Sequence, residues 1–288
     1  MMVIDADQQL AFAARLAAQG KHHQAAAEYD RFLHFFPNDP RQREVHLEAG
    51  RGMLHAGDGP GAERYFSTVT QGAVRDDLWQ SAHFLLTESY LLQGNPHAAV
   101  KPLYALLATT AEAKVKDKVY QRLAWIHIDQ LDWDGARRIL ERISPEGRRR
   151  FDTQALADRL AQADRLPHKR PALAGALSVL PGAGQMYCGR YEDALAAFMV
   201  NGALAWAAYE AFDHDLNALG GILAITGLGF YLGNIYSAVS SAHKFNRAQQ
   251  EGFSKNVQRQ WVIGRRSDPN TTRRLSAAAI TIAVRFQF

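Results

Sequence analysis

Residues able to do chemistry are few in this sequence, and they stand apart from one another. His22 and His23 are adjacent at a predicted helix start, where neighbours face different ways and do not readily share a metal. Glu210, Asp213, His214 and Asp215 are metal-ligand types, but their position between two apolar runs reads as a solvated turn. His127 falls on an apolar position of a repeat, which suits a hydrogen-bonded core histidine better than a ligand. Cys188 is the single cysteine, so an internal disulfide and a multi-cysteine zinc site are excluded. It sits in an apolar run with no histidine near it in sequence, and reads as a buried, inert thiol. No paired carboxylates or nucleophile elbow stands out. No catalytic residue, metal site or cofactor is therefore expected.

The elements around these residues say more than the residues do. The chain has 288 residues, 47% hydrophobic and 22% charged, enough for a real core and unlike a disordered or low-complexity chain. Its net charge of +4 is unevenly spread. Residues 1–170 carry 23 Lys/Arg against 22 Asp/Glu, residues 171–242 carry 1 against 5, and residues 243–288 carry 9 against 2. A soluble domain, a membrane segment and a basic tail would partition charge in this way.

The first part repeats. Leu16, Gly20, Ala25 and Tyr29, with Leu33 following in the first unit, recur 37 residues on as Met53, Gly57, Ala62 and Phe66, then as Tyr90, Gly94, Ala99 and Leu103, then as His127, Leu131, Ala136 and Leu140. An earlier small residue recurs as Ala13, Gly50, Thr87 and Ala124. Apolar residues ahead of each glycine keep a four-residue spacing, so each unit reads as two helices. The glycine suits the left-handed residue at a helix end, and Asp58, Asn95 and Asp132 suit the cap of the next helix. The alanine five residues after the glycine lies where the two helices approach closest.

Residues 6–147 resemble the tetratricopeptide repeat, a helix–turn–helix of about 34 residues. Ala25 with Tyr29 and Ala62 with Phe66 match its small-then-aromatic pattern. Leu103 and Leu140 replace the aromatic, Leu131 replaces the fourth turn glycine, and the period is three residues longer. The resemblance implies an α-solenoid of four helix pairs whose groove takes a protein or peptide, without catalysis. Residues 151–164 read as a capping helix, and 148–170 as that cap with a basic linker.

From Pro171 three stretches lack charge: 171–189, 194–209 and 216–242. A spanning helix needs about 20 mostly apolar residues. The second and third stretches, joined by Asp213, His214 and Asp215, are expected to form a transmembrane hairpin. In the first, Pro181-Gly182-Ala183-Gly184 would break a helix, so a short helix that turns at the interface is expected there. A full crossing would instead put the two ends of the chain on opposite sides. Gly229 and Gly233 share one helix face and are expected to pack, against Ala203 and Ala207 in the hairpin or across a dimer.

Pro181, Gly182, Gly184, Gln185, Tyr187 and Gly189 follow a Pro-Gly-x-Gly-Gln-x-Tyr-x-Gly pattern. It resembles the lead-in of small bacterial two-helix membrane domains of largely unknown function, and implies an integral hairpin over 171–242 with no attached activity. A phosphate loop is a poor reading, because no Lys-Ser/Thr follows and no strand precedes.

The tail, 243–288, is basic through Lys244, Arg247, Lys255, Arg259, Arg265, Arg266, Arg273 and Arg274. With Arg165, Lys169 and Arg170 ahead of the first stretch and an acidic connector, the positive flanks are expected on the cytoplasmic side. These cations are expected to meet anionic lipid headgroups, and not nucleic acid, since no regular series of stacking aromatics accompanies them. Residues 280–288 alternate like a strand with one apolar face, and 260–264 are a candidate partner. The terminal phenylalanine resembles the closing strand of outer-membrane barrels, although a barrel needs about eight strands and the tail has room for two. Residues 1–10 carry two aspartates and no apolar core, so no secretory signal is read there. The expectation is a mainly α, bacterial inner-membrane adaptor or scaffold with its repeats and tail cytoplasmic. A structural envelope component that aids membrane-protein assembly, or forms a homo-oligomer through the hairpin and terminal strand, is the alternative. A signal lost by a misassigned start would turn the repeats toward the periplasm or the outer membrane.

Overall fold

The computed structural model describes residues 5–266, with side chains as far as Trp261. Among these the chain is helical, with fourteen α-helices, one 3-10 helix and no strand. It divides into a unit that reaches Asp158 and a second unit, Arg159–Arg265.

In the first unit, α1 (Ala6–Ala18), α2 (His22–Phe35), α3 (Gln42–Ala56), α4 (Gly59–Gln71), α5 (Asp77–Leu92), α6 (Pro96–Thr109), α7 (Ala113–Asp129) and α8 (Trp133–Leu140) follow one another, and each packs on the next. One turn is built four times. The backbone N–H groups of Lys21, Asp58, Asn95 and Asp132 donate to the carbonyls of Leu16, Met53, Tyr90 and His127, each five residues back. This 6→1 bond is the Schellman closure, and it requires a left-handed residue just before the donor. Gly20, Gly57 and Gly94 supply it at φ 76°, 81° and 70°, and Leu131 does so at 62°. Asp58, Asn95 and Asp132 then accept the N–H of Gly61, Ala98 and Gly135 at 2.8–3.0 Å, capping α4, α6 and α8. Ala25, Ala62, Ala99 and Ala136 are wholly buried beside these turns, with Tyr29, Phe66, Leu103 and Leu140 behind them. Gly50 marks the tightest crossing, because a Cβ there would lie 2.4 Å from the Phe66 ring.

Beyond α8 a short helix comes first, and the capping helix expected over 151–164 falls on an α-helix followed by a 3-10 turn. α9 (Pro145–Phe151) stops at Asp152, left-handed at φ 50°, and α10 (Thr153–Leu160) and a 3-10 turn (Ala161–Arg165) follow. Asp117 anchors the start of α9, accepting the Ser144 N–H at 2.8 Å and its hydroxyl at 2.6 Å.

The second unit holds α11 (Pro171–Leu177), α12 (Ala183–Tyr187), α13 (Tyr191–Asp213) and α14 (Asn217–Arg266). The last two are long and apolar enough to cross a membrane, with mean hydropathy 1.2 and 1.5 in their best windows. Only 17% and 11% of those windows is buried, which is unlike the core helix of a soluble protein. Leu195, Met199, Trp206, Ile222, Ile225 and Tyr236 all point outward, each more than 60% exposed. The two helices are compatible with a membrane protein.

One sequence expectation is corrected by this unit. Residues 260–264, offered as a strand, lie inside α14. Phe253, Val257 and Trp261 repeat every four residues there, and Arg247 pairs with Glu251 one turn on at 2.7 Å, so the helical period prevails. α14 runs unbroken for 50 residues, about 75 Å at 1.5 Å per residue, through the 242/243 boundary drawn from composition. The terminal strand expected over 280–288 lies outside the described residues.

Candidate functional site

The lead-in motif is where side chains from distant parts of the second unit converge. Proline and glycine end α11 and start α12, and each glycine is needed for a different reason. Gly182 is left-handed at φ 90°, and a Cβ on it would lie 2.2 Å from the Ala194 carbonyl of α13. Gly184 is at the crossing, where a Cβ would lie 2.0 Å from Ser178 Oγ, 2.2 Å from the Ala174 carbonyl and 2.7 Å from Ala238 Cβ of α14. Gly189 has open space around it but sits at φ 83°, closing α12 with the same turn used in the repeats: Arg190 N–H donates to the Gln185 carbonyl at 2.9 Å. Pro181, half-buried, leads into this turn.

Close backbone approach brings the polar groups into register. Gln185 is 2% exposed, and its Nε2 donates to the Asn234 carbonyl at 3.0 Å and to Asn234 Oδ1 at 2.7 Å. Tyr231 donates its hydroxyl to the Val179 carbonyl at 3.1 Å, and Arg190 donates to Ser241 Oγ at 2.8 Å. Cys188 Sγ is buried 3.8 Å from the Ala238 carbonyl. Tyr187 accepts the Arg170 N–H at 3.1 Å and lies under Lys169, whose Nζ is 4.6 Å from the ring centroid. Asn246 grips Lys169 from both sides, accepting its N–H at 2.7 Å and donating to its carbonyl at 2.8 Å. Buried amide pairs of this kind hold helices together where apolar contact alone cannot.

Ser178, Asn234, Ser241 and Asn246 were not read from sequence. Asn234, Ala238, Ser241 and Ala242 are buried in α14 at helical spacing, so a polar-and-small stripe inside an apolar run was the available signal. Gly229 and Gly233 were expected to pack within the hairpin or across a dimer, and the structure shows no neighbour for them within the chain. Both are exposed, and a Cβ on either would meet nothing within 4 Å, so they do not pack the hairpin. A Cβ on Gly220 would meet the Phe212 ring at 2.8 Å, and one on Gly227 would lie 3.5 Å from Leu204 Cβ, so these glycines face side chains instead. The reason is rotational: Asn234 and Ala238 turn one face of α14 inward, and Gly229 and Gly233 fall on the other.

Of the remaining candidate residues, His22, His127 and His214 meet neighbouring side chains. His22 stacks on His55 at 5.2 Å. His127 Nδ1 lies 2.8 Å from Asp132 Oδ2, beside the turn where leucine stands in for glycine. The N–H of Gly135, followed by His127, holds the Asp132 carboxyl below its usual range. A fork from Arg43 joins Asp76 at 2.6 and 2.7 Å. That pairing, helped by the Trp79 N–H, holds Asp76 at a pKa of about 2. His214 pairs with Glu210 at 3.1 Å, and both are exposed. Among the described residues no group of three or more His, Cys, Asp or Glu is placed to hold a metal. No known protein family matches the chain, and no curated protein matches it either.

Proposed function

We propose that this chain is a non-catalytic, membrane-anchored adaptor: a tetratricopeptide-type solenoid that binds a protein or peptide, held at the bilayer by a two-helix hairpin. The observation that carries the reading is the pairing of a four-times-repeated helical turn with two long helices whose apolar side chains face outward. Repeated helix pairs expose groove surface and bury little that could do chemistry. Outward-facing Leu, Ile, Phe and Trp are costly in water and favourable in hydrocarbon. The basic residues flanking the hairpin and the acidic connector support a cytoplasmic location for repeats and tail, with the connector outside a bacterial inner membrane. The lead-in, broken and polar, supports two crossings with 171–189 packed at one end of them.

Full-length protein is expected to pellet with membranes, to resist alkaline carbonate and to need detergent for release. Co-purification in detergent is then expected to yield a stoichiometric partner protein that is lost when the repeats are deleted. A folded, monodisperse product in the detergent-free supernatant would overturn the anchor. The second reading, a structural component that associates with itself, is favoured by the open face around Gly229 and Gly233. A homo-oligomer without partner would support it.

A further inference from the structure

We propose that the lead-in carries a binding site for one acidic phospholipid, with Lys169 and Arg170 as the headgroup ligands. The proposal rests on the membrane reading above and adds to it a fixed site in place of diffuse attraction by a basic tail.

Two consecutive backbone units of the linker are clamped by side chains from elsewhere. Asn246 of α14 takes both the N–H and the carbonyl of Lys169, and the Tyr187 hydroxyl of α12 takes the N–H of Arg170. A linker meant only to connect would not need three side-chain bonds on two residues. Their effect is to fix the backbone from which two consecutive cationic side chains leave. Lys169 is half-buried, its Nζ between the rings of Tyr187 at 4.6 Å and Phe245 at 5.5 Å, and Arg170 is exposed. Among the described residues neither has an ion pair, and Lys244, next to Phe245, is exposed and without one too. Arg190 nearby differs, being paired with Asp193 at 2.5 Å and bonded to Ser241. Glu192 is the remaining acid on that turn, and it is exposed.

The occupant must match both halves of the surroundings. Unpaired cations, one of them lying between aromatic rings, call for an anion at interfacial depth. Directly after Arg170 the surface turns apolar: Leu173, Leu177, Val179 and Leu180 are 39–69% exposed. A free phosphate would satisfy the cations and leave this apolar surface bare. A phospholipid with an anionic headgroup covers both, its phosphate on Lys169 and Arg170 and its acyl chains along α11.

The test uses the full chain in detergent, analysed by native mass spectrometry while titrated with phosphatidylglycerol or phosphatidylcholine of identical acyl chains. One phosphatidylglycerol is expected to stay bound at concentrations where phosphatidylcholine does not. At roughly fivefold per cation, Lys169→Gln with Arg170→Gln should weaken phosphatidylglycerol about 30-fold. The exchange Lys169→Arg with Arg170→Lys should keep most of it, and Lys255→Gln with Arg259→Gln should change nothing. Equal retention of the two lipids, or an equal loss in the Lys255/Arg259 variant, would overturn the site and leave the anchor intact. Displacement of the lipid by 10 mM inorganic phosphate (roughly a saturating level for a simple anion site) would show a free-anion site instead. Unchanged α-helical circular dichroism and unchanged association with neutral vesicles confirm that each variant is folded and inserted. Failure of the unmodified chain to associate with neutral vesicles would remove the membrane reading, and this site with it.

Discussion

At the scale of single residues, the four repeat turns form an internal experiment on chirality. Gly20, Gly57 and Gly94 hold a left-handed backbone, and Leu131 holds the same one with a Cβ. The left-handed region costs an L-residue about 1–2 kcal/mol. Gly94 has nothing within 4 Å of a Cβ, so Gly94→Ala isolates that cost and is expected to lower stability by about 1 kcal/mol. At position 131, glycine should be more stable than alanine by about the same amount, the reverse of their order in a helix interior. Thermal unfolding of the four proteins measures both differences, and alanine equal to glycine at 131 would refute the argument. Asp76 makes a pH prediction. Its carboxyl is held at about 2 by the Arg43 fork and then by the Trp79 N–H, whereas an unfolded Asp titrates near 3.9. A depressed folded-state pKa adds stability above the unfolded value and loses it as pH falls through the folded one. Stability should therefore decline between about pH 4 and pH 2, and Asp76→Asn should flatten that limb. Asp39, also held at about 2 by Arg41, should leave part of the slope in place. These residues were legible unequally: the glycines and caps announced themselves by type and spacing, but Arg43 and Asp76, 33 residues apart, meet only through packing.

At the scale of elements, the lead-in depends on backbone crossing where a side chain would intrude. Gly184→Ala places a methyl 2.2 Å from the Ala174 carbonyl, a backbone atom that cannot swing away. Overpacking of this kind costs about 1–3 kcal/mol, so α12 should lift from α14. Cys188, buried just past the end of α12 and the chain's single thiol, reports the movement. Maleimide labelling in detergent is expected to be slow in the wild type and about tenfold faster in Gly184→Ala. Gly202→Ala, where a Cβ meets nothing within 4 Å, should leave the rate alone. Equal rates in all three would show that Gly184 is not a crossing. The repeat helices and the two long apolar helices were readable from period and composition, whereas 260–264 read as a strand. The helix α9 ahead of Asp152 and the unbroken course of α14 past residue 242 were not readable, because α9 is only seven residues long and no proline or glycine pair interrupts the helical period beyond 242.

At the scale of the whole molecule, the open face of α14 separates the two functional readings. Gly229 and Gly233 lie outward, opposite the face that meets α12. Small residues on a lipid-facing helix let a second helix approach closely. If the chain associates with itself there, Gly233→Leu should convert the oligomer to monomer by light scattering in detergent. If it is a monomeric adaptor, the same change should leave mass and partner binding untouched, since no neighbour within the chain is displaced.

The order of residues alone determined the helical class, the 37-residue period, the turn and cap positions and the two long apolar runs, because each depends on local periodicity or on the conformational limits of one residue type. Tertiary structure alone decided which face of α14 turns inward, which glycines are crossings and which are open, and that Asn246 and Tyr187 clamp the Lys169–Arg170 linker. Those outcomes depend on helix rotation and on contacts spanning 17 to 77 residues of chain, and a local pattern carries no information about either.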